Sequence, residues 1–190
     1  MSDAVTVLAG RGRAVLTCEH ASLAVPPPWA WPDADRWLEG THWSYDLGVQ
    51  DLVTELQAAT GWHAVLARLS RLLVDPNRAQ DHPDLFRTRA DGRPVHLNAG
   101  LSAAERARRL DRLWRPYLAA ADAVVAAAPG AAVVSLHSFS PVYEGQRRDM
   151  ELGVLFNDDE ALGLALARRL SDGGWTVRPN APWSGKDGLM

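Results

Sequence analysis

Continuously apolar runs alternate along the chain with stretches whose apolar residues recur at helical spacing. The runs predict five strands, over residues 13–17, 62–66, 132–136, 152–156 and 175–178. Helices are predicted over residues 46–59, 102–127 and 158–170. The first has apolar residues at helical spacing, the second begins with a Ser102–Glu105 capping box, and the third has charges at its ends that suit the helix macrodipole. This order of strands and helices predicts an α/β fold, a three-layer αβα sandwich.

Each of the first three predicted strands stops at a short polar cluster. The clusters are CEHAS at residues 18–22, SRLLVDPNR at 70–78 and SLHSFSP at 135–141. Continuous apolar strands are typical of a buried parallel sheet, and ligands bind outside the carboxyl ends of such strands. We therefore expect the clusters to converge on one crevice, with an inventory that suits a metal-assisted hydrolase of an anionic substrate.

The stretch from residue 75 to residue 100 is polar and shows no convincing period. Loops of this length in a compact domain are usually functional or disordered. We expect it to build the pocket for the substrate's acyl group.

Composition limits the class of protein. A chain of 190 residues predicts one domain with a single substantial core. The net charge of -3 gives no basic face for nucleic acid, and no apolar run reaches the roughly 20 residues of a membrane span. The sequence has one cysteine, Cys18, and does not begin with a basic segment followed by an apolar leader, so we expect a reducing, cytoplasmic compartment. Frequent Ala, Arg and Trp suggest a GC-rich bacterial genome.

Two histidines, His20 and His137, lie just past different strands. A lone histidine is most often structural, but imidazoles at neighbouring strand ends can bind zinc together with a third protein ligand. A carboxylate would be that ligand. Two carboxylates are candidates for this third ligand. Asp46 lies at the start of a predicted helix, and Glu19 is next to His20 but points to the opposite side of an extended chain.

Arg71 and Arg78 flank the second cluster. Guanidinium groups bind carboxylates in a bidentate manner, so this pair predicts recognition of an amino-acid-like substrate. The alternatives are surface salt bridges and an ordinary turn at residues 75–78. Cys18 lies inside a strand without triad partners and is predicted to be a buried core residue.

The motifs together resemble the N-formylglutamate amidohydrolase family. They are the three clusters, THWSYDLG at residues 41–48, GVLFN at 153–157 and SGKDG at 184–188. The resemblance runs in order from about residue 14 to residue 190. It implies a fold similar to zinc carboxypeptidases and aspartoacylase, a phosphorylase/hydrolase-like αβα sandwich with a mostly parallel, mixed sheet.

The resemblance also implies a site. Zn²⁺ would be bound by His20, His137 and, as the carboxylate that the family pattern favours, Asp46. Arg71, Asn77 and Arg78 would bind the substrate carboxylate, and Arg71 would also act in catalysis by polarising the scissile carbonyl.

The family pattern implies a general base on a further strand beyond Met190. Within the sequence, Glu19 and Glu151 are the candidates for that role. We expect a cytoplasmic, zinc-dependent amidohydrolase of N-acylated acidic amino acids such as N-formyl-glutamate. We also expect low turnover by this chain and a tendency to form homo-oligomers through an unpaired sheet edge. The alternatives are a catalytically impaired carboxylate-binding relative and a hydrolase of another amide or peptide.

Overall fold

The structure is a computed structural model that describes residues 4–143 and 145–182. The chain divides into two compact units, Met1–Phe139 and Ser140–Met190. The prediction of one domain over residues 1–190 stays a prediction. The SGKDG motif at 184–188 lies outside the described residues.

The first unit holds most of the regular structure. Its elements are β1 (Val5–Leu8), β2 (Ala14–Cys18), α1 (Val49–Thr60), β3 (His63–Ala67), β4 (Arg89–Ala90), β5 (Arg93–Pro94), α2 (Ala103–Arg109), α3 (Arg115–Ala127) and β6 (Ala132–Ser135). Three short 3₁₀ helices cover Asp33–Leu38, Pro83–Phe86 and His96–Asn98, and a π-helical turn covers Leu110–Trp114.

Four strands of this unit form a mixed sheet in the order β1–β3–β2–β6. β3, β2 and β6 are parallel, and β1 pairs with β3 in the antiparallel direction. Every residue of β2 is buried, which explains why its sequence is apolar apart from Thr17. The predicted α/β class with a mostly parallel, mixed sheet is confirmed.

Helices pack on both faces of this sheet. Ala64 and Leu66 of β3 share a core cluster with Val53 of α1, whereas Val65 of β3 belongs to a second cluster with Tyr117 of α3. Successive side chains of a strand point to opposite faces, so the two clusters lie on opposite sides of the sheet. The three-layer arrangement of the complete fold stays a prediction.

The second unit contains β7 (Val142–Tyr143), β8 (Gln146–Arg147), β9 (Leu152–Val154), α4 (Glu160–Asp172) and β10 (Val177–Pro179). β9 and β10 pair in parallel, and α4 packs against both. The predicted helix at 158–170 and strand at 152–156 are therefore present with shifted ends. The fifth strand begins two residues later than predicted.

Two predicted helices differ from the structure. α1 begins at Val49 because Gly48 adopts the left-handed conformation (φ 74°), so Asp46 precedes the helix and does not start it. The helix predicted over 102–127 is interrupted by the π turn. Pro116 has no N–H for the carbonyl four residues earlier, and the chain widens just before it.

The stretch from residue 75 to residue 100 is more ordered than its sequence suggests. β4 and β5 form a hairpin, and Asp91 and Gly92 at its turn both have positive φ. The fully buried Asp35 accepts hydrogen bonds from the backbone N–H groups of His96 and Leu97. Buried polar contacts therefore fix a segment that lacks any hydrophobic period.

Candidate active site

The carboxyl ends of β2 and β6 bring the two predicted histidines together. Thr17 of β2 and Ser135 of β6 are partners in the parallel register, and the chain continues from them to His20 and His137. The two imidazole rings lie 4.8 Å apart, centroid to centroid. This convergence follows from the parallel pairing, as the strand-end argument predicts.

Asp46 lies between the two histidines. Its backbone N–H donates to the carbonyl oxygen of His20 at 3.0 Å, which fixes the turn before α1 against the end of β2. Its Oδ1 is 3.5 Å from Nδ1 of His20, and its Oδ2 is 2.8 Å from Nδ1 of His137. Potential ligand atoms of the three residues all lie within 4.8 Å of one another.

His20 presents an unpaired nitrogen to this cluster. The side chain is 2% exposed, and its Nε2 lies 2.7 Å from Oδ1 of Asp75. Its Nδ1 is buried without a hydrogen-bond partner among the residues that the structure describes. Since Asp75 accepts the Nε2 proton, Nδ1 carries a lone pair, and a buried imidazole lone pair suits a metal ion.

Asp75 is a site residue that the sequence analysis did not single out beyond its place in a turn. Its carboxylate also accepts from Nη2 of Arg71 and from the backbone N–H of Asn77, both at 2.9 Å. Burial raises the pKa of this carboxyl, but the charges of His20 and Arg71 outweigh it and hold the pKa well below the usual range. The predicted turn is real, and its aspartate orients a histidine.

Arg71 and Arg78 differ in their surroundings. Arg71 forms an ion pair with Asp75, and its Nη1 lies 3.7 Å from Oδ1 of Asp46. Arg78 donates through Nη1 to the carbonyl of Asn77 at 3.3 Å, while its buried Nε has no hydrogen-bond partner within the described part of the chain. Arg78 therefore keeps a free donor, and Arg71 is already engaged by carboxylates.

The charges of the cluster favour a divalent cation. Glu19, Asp46 and Asp75 face one guanidinium, that of Arg71, so two negative charges remain when both imidazoles are neutral. Burial lowers the pKa of His137, but hydrogen bonds to Asp46 and Glu19 raise it more strongly, to about 9. The carboxylates around His137 therefore strongly attract a proton or a metal cation.

Comparisons with known proteins identify a family for the chain. Residues 12–190 match the N-formylglutamate amidohydrolase family. The chain belongs to this family. None of the curated proteins matches the chain.

Two solved structures resemble this member of the N-formylglutamate amidohydrolase family. The gene product Atu2144 of Agrobacterium tumefaciens has a TM-score of 0.91 and 30% identity, over 98% of this chain and 76% of that protein. The N-formylglutamate amidohydrolase of Ralstonia eutropha JMP134 has a TM-score of 0.70 and 22% identity, over 97% of this chain and 78% of that protein. The second likeness shows a shared fold.

The two candidate bases of this family member lie in different surroundings. Glu19 follows β2 and accepts hydrogen bonds from the hydroxyl groups of Tyr117 and Ser135. Burial raises its pKa, but hydrogen bonds from His137, Ser135 and Tyr117 lower it to about 2. Glu151 is exposed in the second unit and accepts from the backbone N–H of Thr176 at 2.9 Å.

Tyr117 and Ser135 are further site residues that sequence reasoning missed. Burial and the neighbouring carboxylate of Glu19 raise the pKa of Tyr117 far above the usual value, so its phenol remains a donor. Cys18 is fully buried in β2, and burial raises its thiol pKa, as expected of a core residue. No helix in the described part of the chain is both long and apolar enough to cross a membrane.

Proposed function

We propose that the chain is a zinc-dependent amidohydrolase of N-acylated acidic amino acids, with N-formyl-glutamate as the expected substrate. The observation that carries the proposal is the buried, unpaired Nδ1 of His20 facing Asp46 and His137. His20, Asp46 and His137 would hold the ion. Zinc in such a site supplies water activation near neutral pH and a Lewis acid for the amide carbonyl.

The protein's own groups would orient the substrate. Arg78, whose guanidinium forms no ion pair with a carboxylate in the described part of the chain, would bind the substrate carboxylate, and Asn77 would offer its amide beside it. Arg71 would place positive charge beside the oxygen that becomes negative in the tetrahedral transition state. The general base would be a carboxylate, with Glu19 and Glu151 as the candidates within this sequence.

The proposal also includes the partners, the cellular compartment and the oligomeric state of the protein. The substrate is a small anion, and neither nucleic acid nor a membrane surface is a proposed partner. We propose a bacterial, cytoplasmic enzyme that can associate into homo-oligomers.

Replacement of Arg78 by lysine tests the proposed substrate class. Lysine keeps the charge but removes the planar fork, so Arg78→Lys should raise the Kd for N-formyl-glutamate at least about tenfold, or roughly 1.4 kcal/mol. Calorimetric titration of the folded variant measures this change. Arg168→Lys, on the exposed surface of α4, is the matched control and should leave the Kd unchanged.

Three other results separate the alternatives. An unchanged Kd in folded Arg78→Lys would remove Arg78 from substrate recognition. Binding of N-formyl-glutamate to the wild-type protein without formate release would favour a catalytically impaired carboxylate-binding relative. Faster cleavage of an unrelated amide or peptide would favour a hydrolase of a different linkage.

A further inference from the structure

The Glu19 carboxylate is held by two hydroxyl groups. Tyr117 donates to Oε1 and Ser135 donates to Oε2, each at 2.7 Å. Glu19 is 9% exposed and Tyr117 only 1% exposed, so the hydrogen bond between them is shielded from water, and the bond from Ser135 is partly shielded. A carboxylate held on both oxygens in this way has little freedom to rotate.

His137 adjoins this carboxylate through Nε2. That nitrogen lies 3.2 Å from Oε2 of Glu19 and 3.1 Å from Oγ of Ser135. A carboxylate can only accept, and Ser135 has already donated its one hydroxyl proton to Glu19. Both neighbours of Nε2 are therefore acceptors, and the hydrogen-bond directions place a proton on that nitrogen.

Nδ1 of His137 faces the other way, 2.8 Å from Oδ2 of Asp46. His20 has the same arrangement, because its Nε2 faces Asp75 while its Nδ1 faces Asp46. In each histidine, one nitrogen faces a carboxylate outside the His20, Asp46 and His137 cluster, and Nδ1 faces Asp46, the carboxylate inside it. Asp46 also only accepts, so a proton or a cation would lie between it and Nδ1 of His137, and a bound metal ion would take the place of that proton. The carboxylate outside the cluster fixes the tautomer of a metal-binding imidazole.

The fold supplies Glu19, Ser135 and Tyr117 from separate elements, with Glu19 and Ser135 next to Nε2 and Tyr117 on the far oxygen of Glu19. Ser135 ends β6 and lies two residues before His137, so both side chains can share one side of an extended chain. Tyr117 is the buried residue of α3. The π turn at Leu110–Trp114 adds a residue to one turn, which rotates the face that α3 presents.

We propose that Glu19, Ser135 and Tyr117 are positioning residues that keep the His137 proton on Nε2 and so present Nδ1 to a metal ion. The inference rests on the proposed function, since it needs a metal at His20, Asp46 and His137. It assigns to Glu19 a role through His137 and leaves the general base to another carboxylate.

Nuclear magnetic resonance of the zinc-loaded protein tests the tautomer directly. Protein with ¹⁵N-labelled histidine gives long-range ¹H–¹⁵N correlations that distinguish a protonated from a metal-bound ring nitrogen. We expect His137, assigned through His137→Asn, to carry its proton on Nε2. A proton on Nδ1, with zinc on Nε2, would overturn the proposal.

Zinc affinity, measured by competition with a chromophoric chelator, tests the three positioning residues. Glu19→Gln exchanges an acceptor oxygen for an amide donor and should weaken zinc binding about 10–100-fold. Tyr117→Phe and Ser135→Ala each remove one hydrogen bond and should weaken it about 2–10-fold. Glu55→Gln on α1 and Ser171→Ala on α4, both exposed, are the matched controls.

The outcomes separate this inference from the proposed function. Unchanged zinc affinity in Glu19→Gln, together with lost turnover, would make Glu19 a reacting group and overturn the positioning role. If circular dichroism shows that Glu19→Gln does not fold, the zinc affinity of Tyr117→Phe tests the positioning role instead. An unchanged zinc affinity in Tyr117→Phe would also overturn the proposal. A wild-type protein that binds no zinc would instead remove the proposed function, and this inference with it.

Discussion

Replacement of His20 by alanine is expected to release the metal and to stop catalysis. The wild-type protein should hold about one equivalent of zinc, the usual content of a catalytic zinc site. Without the buried Nδ1 of His20, Asp46 and His137 remain as a two-ligand site beside an unpaired Asp75. Formate release should fall by at least about 10²–10³-fold, the loss that one preorganised electrostatic group typically causes.

Elemental analysis and the formate assay measure this result on the same preparations. His42→Ala is the matched control, because His42 is exposed and its ring contacts Trp43 outside the cluster. The control should keep both the metal and the activity. A His20→Ala, His137→Ala double variant that still holds a full equivalent of zinc would refute the ligand assignment.

Replacement of Arg109 by alanine is expected to lower the free energy of unfolding by about 3–5 kcal/mol, because it leaves three buried acceptors unpaired, each at a cost of about 1–3 kcal/mol. Arg109 is 3% exposed, and its guanidinium donates to Glu105, Asn98 and the carbonyls of Leu73 and Leu97 at 2.7–3.0 Å. Its loss would leave several buried acceptors without a hydrogen-bond donor. Because Leu73 lies two residues before Asp75, the variant should also weaken metal binding.

Urea unfolding followed by tryptophan fluorescence measures this loss, since six of the eight tryptophans lie before residue 140. The thermal midpoint should fall by roughly 6–20 °C. Arg112→Ala, three residues further along the same helical run and exposed, should change stability by less than about 0.5 kcal/mol. Equal losses in the two variants would show that the Arg109 contacts contribute little.

The sequence predicted the parallel strands and the convergence at their ends because both follow from local patterns. β2 is buried along its whole length, and such a strand is predominantly apolar, as four of its five residues are. Parallel pairing then brings His20 to His137 wherever the connecting helices pack. For the same reason, neighbouring polar clusters were informative even though each residue alone was not.

Other features depend on contacts that no local pattern encodes. Tyr117 is 98 residues from Glu19 in sequence, and only the packing of α3 brings its hydroxyl to that carboxylate. Asp75 appeared as a turn residue because its side chain does accept from the backbone of Asn77, and its bond to His20 spans 55 residues. Tertiary hydrogen bonds of this kind cannot be predicted from spacing.

Some misses did have a signal. The Asp91–Gly92 pair is a strong hairpin indicator, and it forms the turn between β4 and β5. Pro116 inside a predicted helix indicated an interruption, which the structure shows as the π turn. β1 was not predicted and had no such signal. It has only four residues and lies at an edge of the sheet, where a short strand needs no continuous apolar run.

The most direct test of the central claim is formate release from N-formyl-glutamate by one preparation in three states: zinc-loaded, chelator-treated and zinc-restored. The proposed site predicts measurable turnover with about one equivalent of zinc, at the low rate expected from the sequence, together with its loss on chelation and its return when zinc is added. His20→Ala should show no turnover in any of the three states. Turnover that persists after complete removal of the metal would contradict metal-dependent hydrolysis at His20, Asp46 and His137.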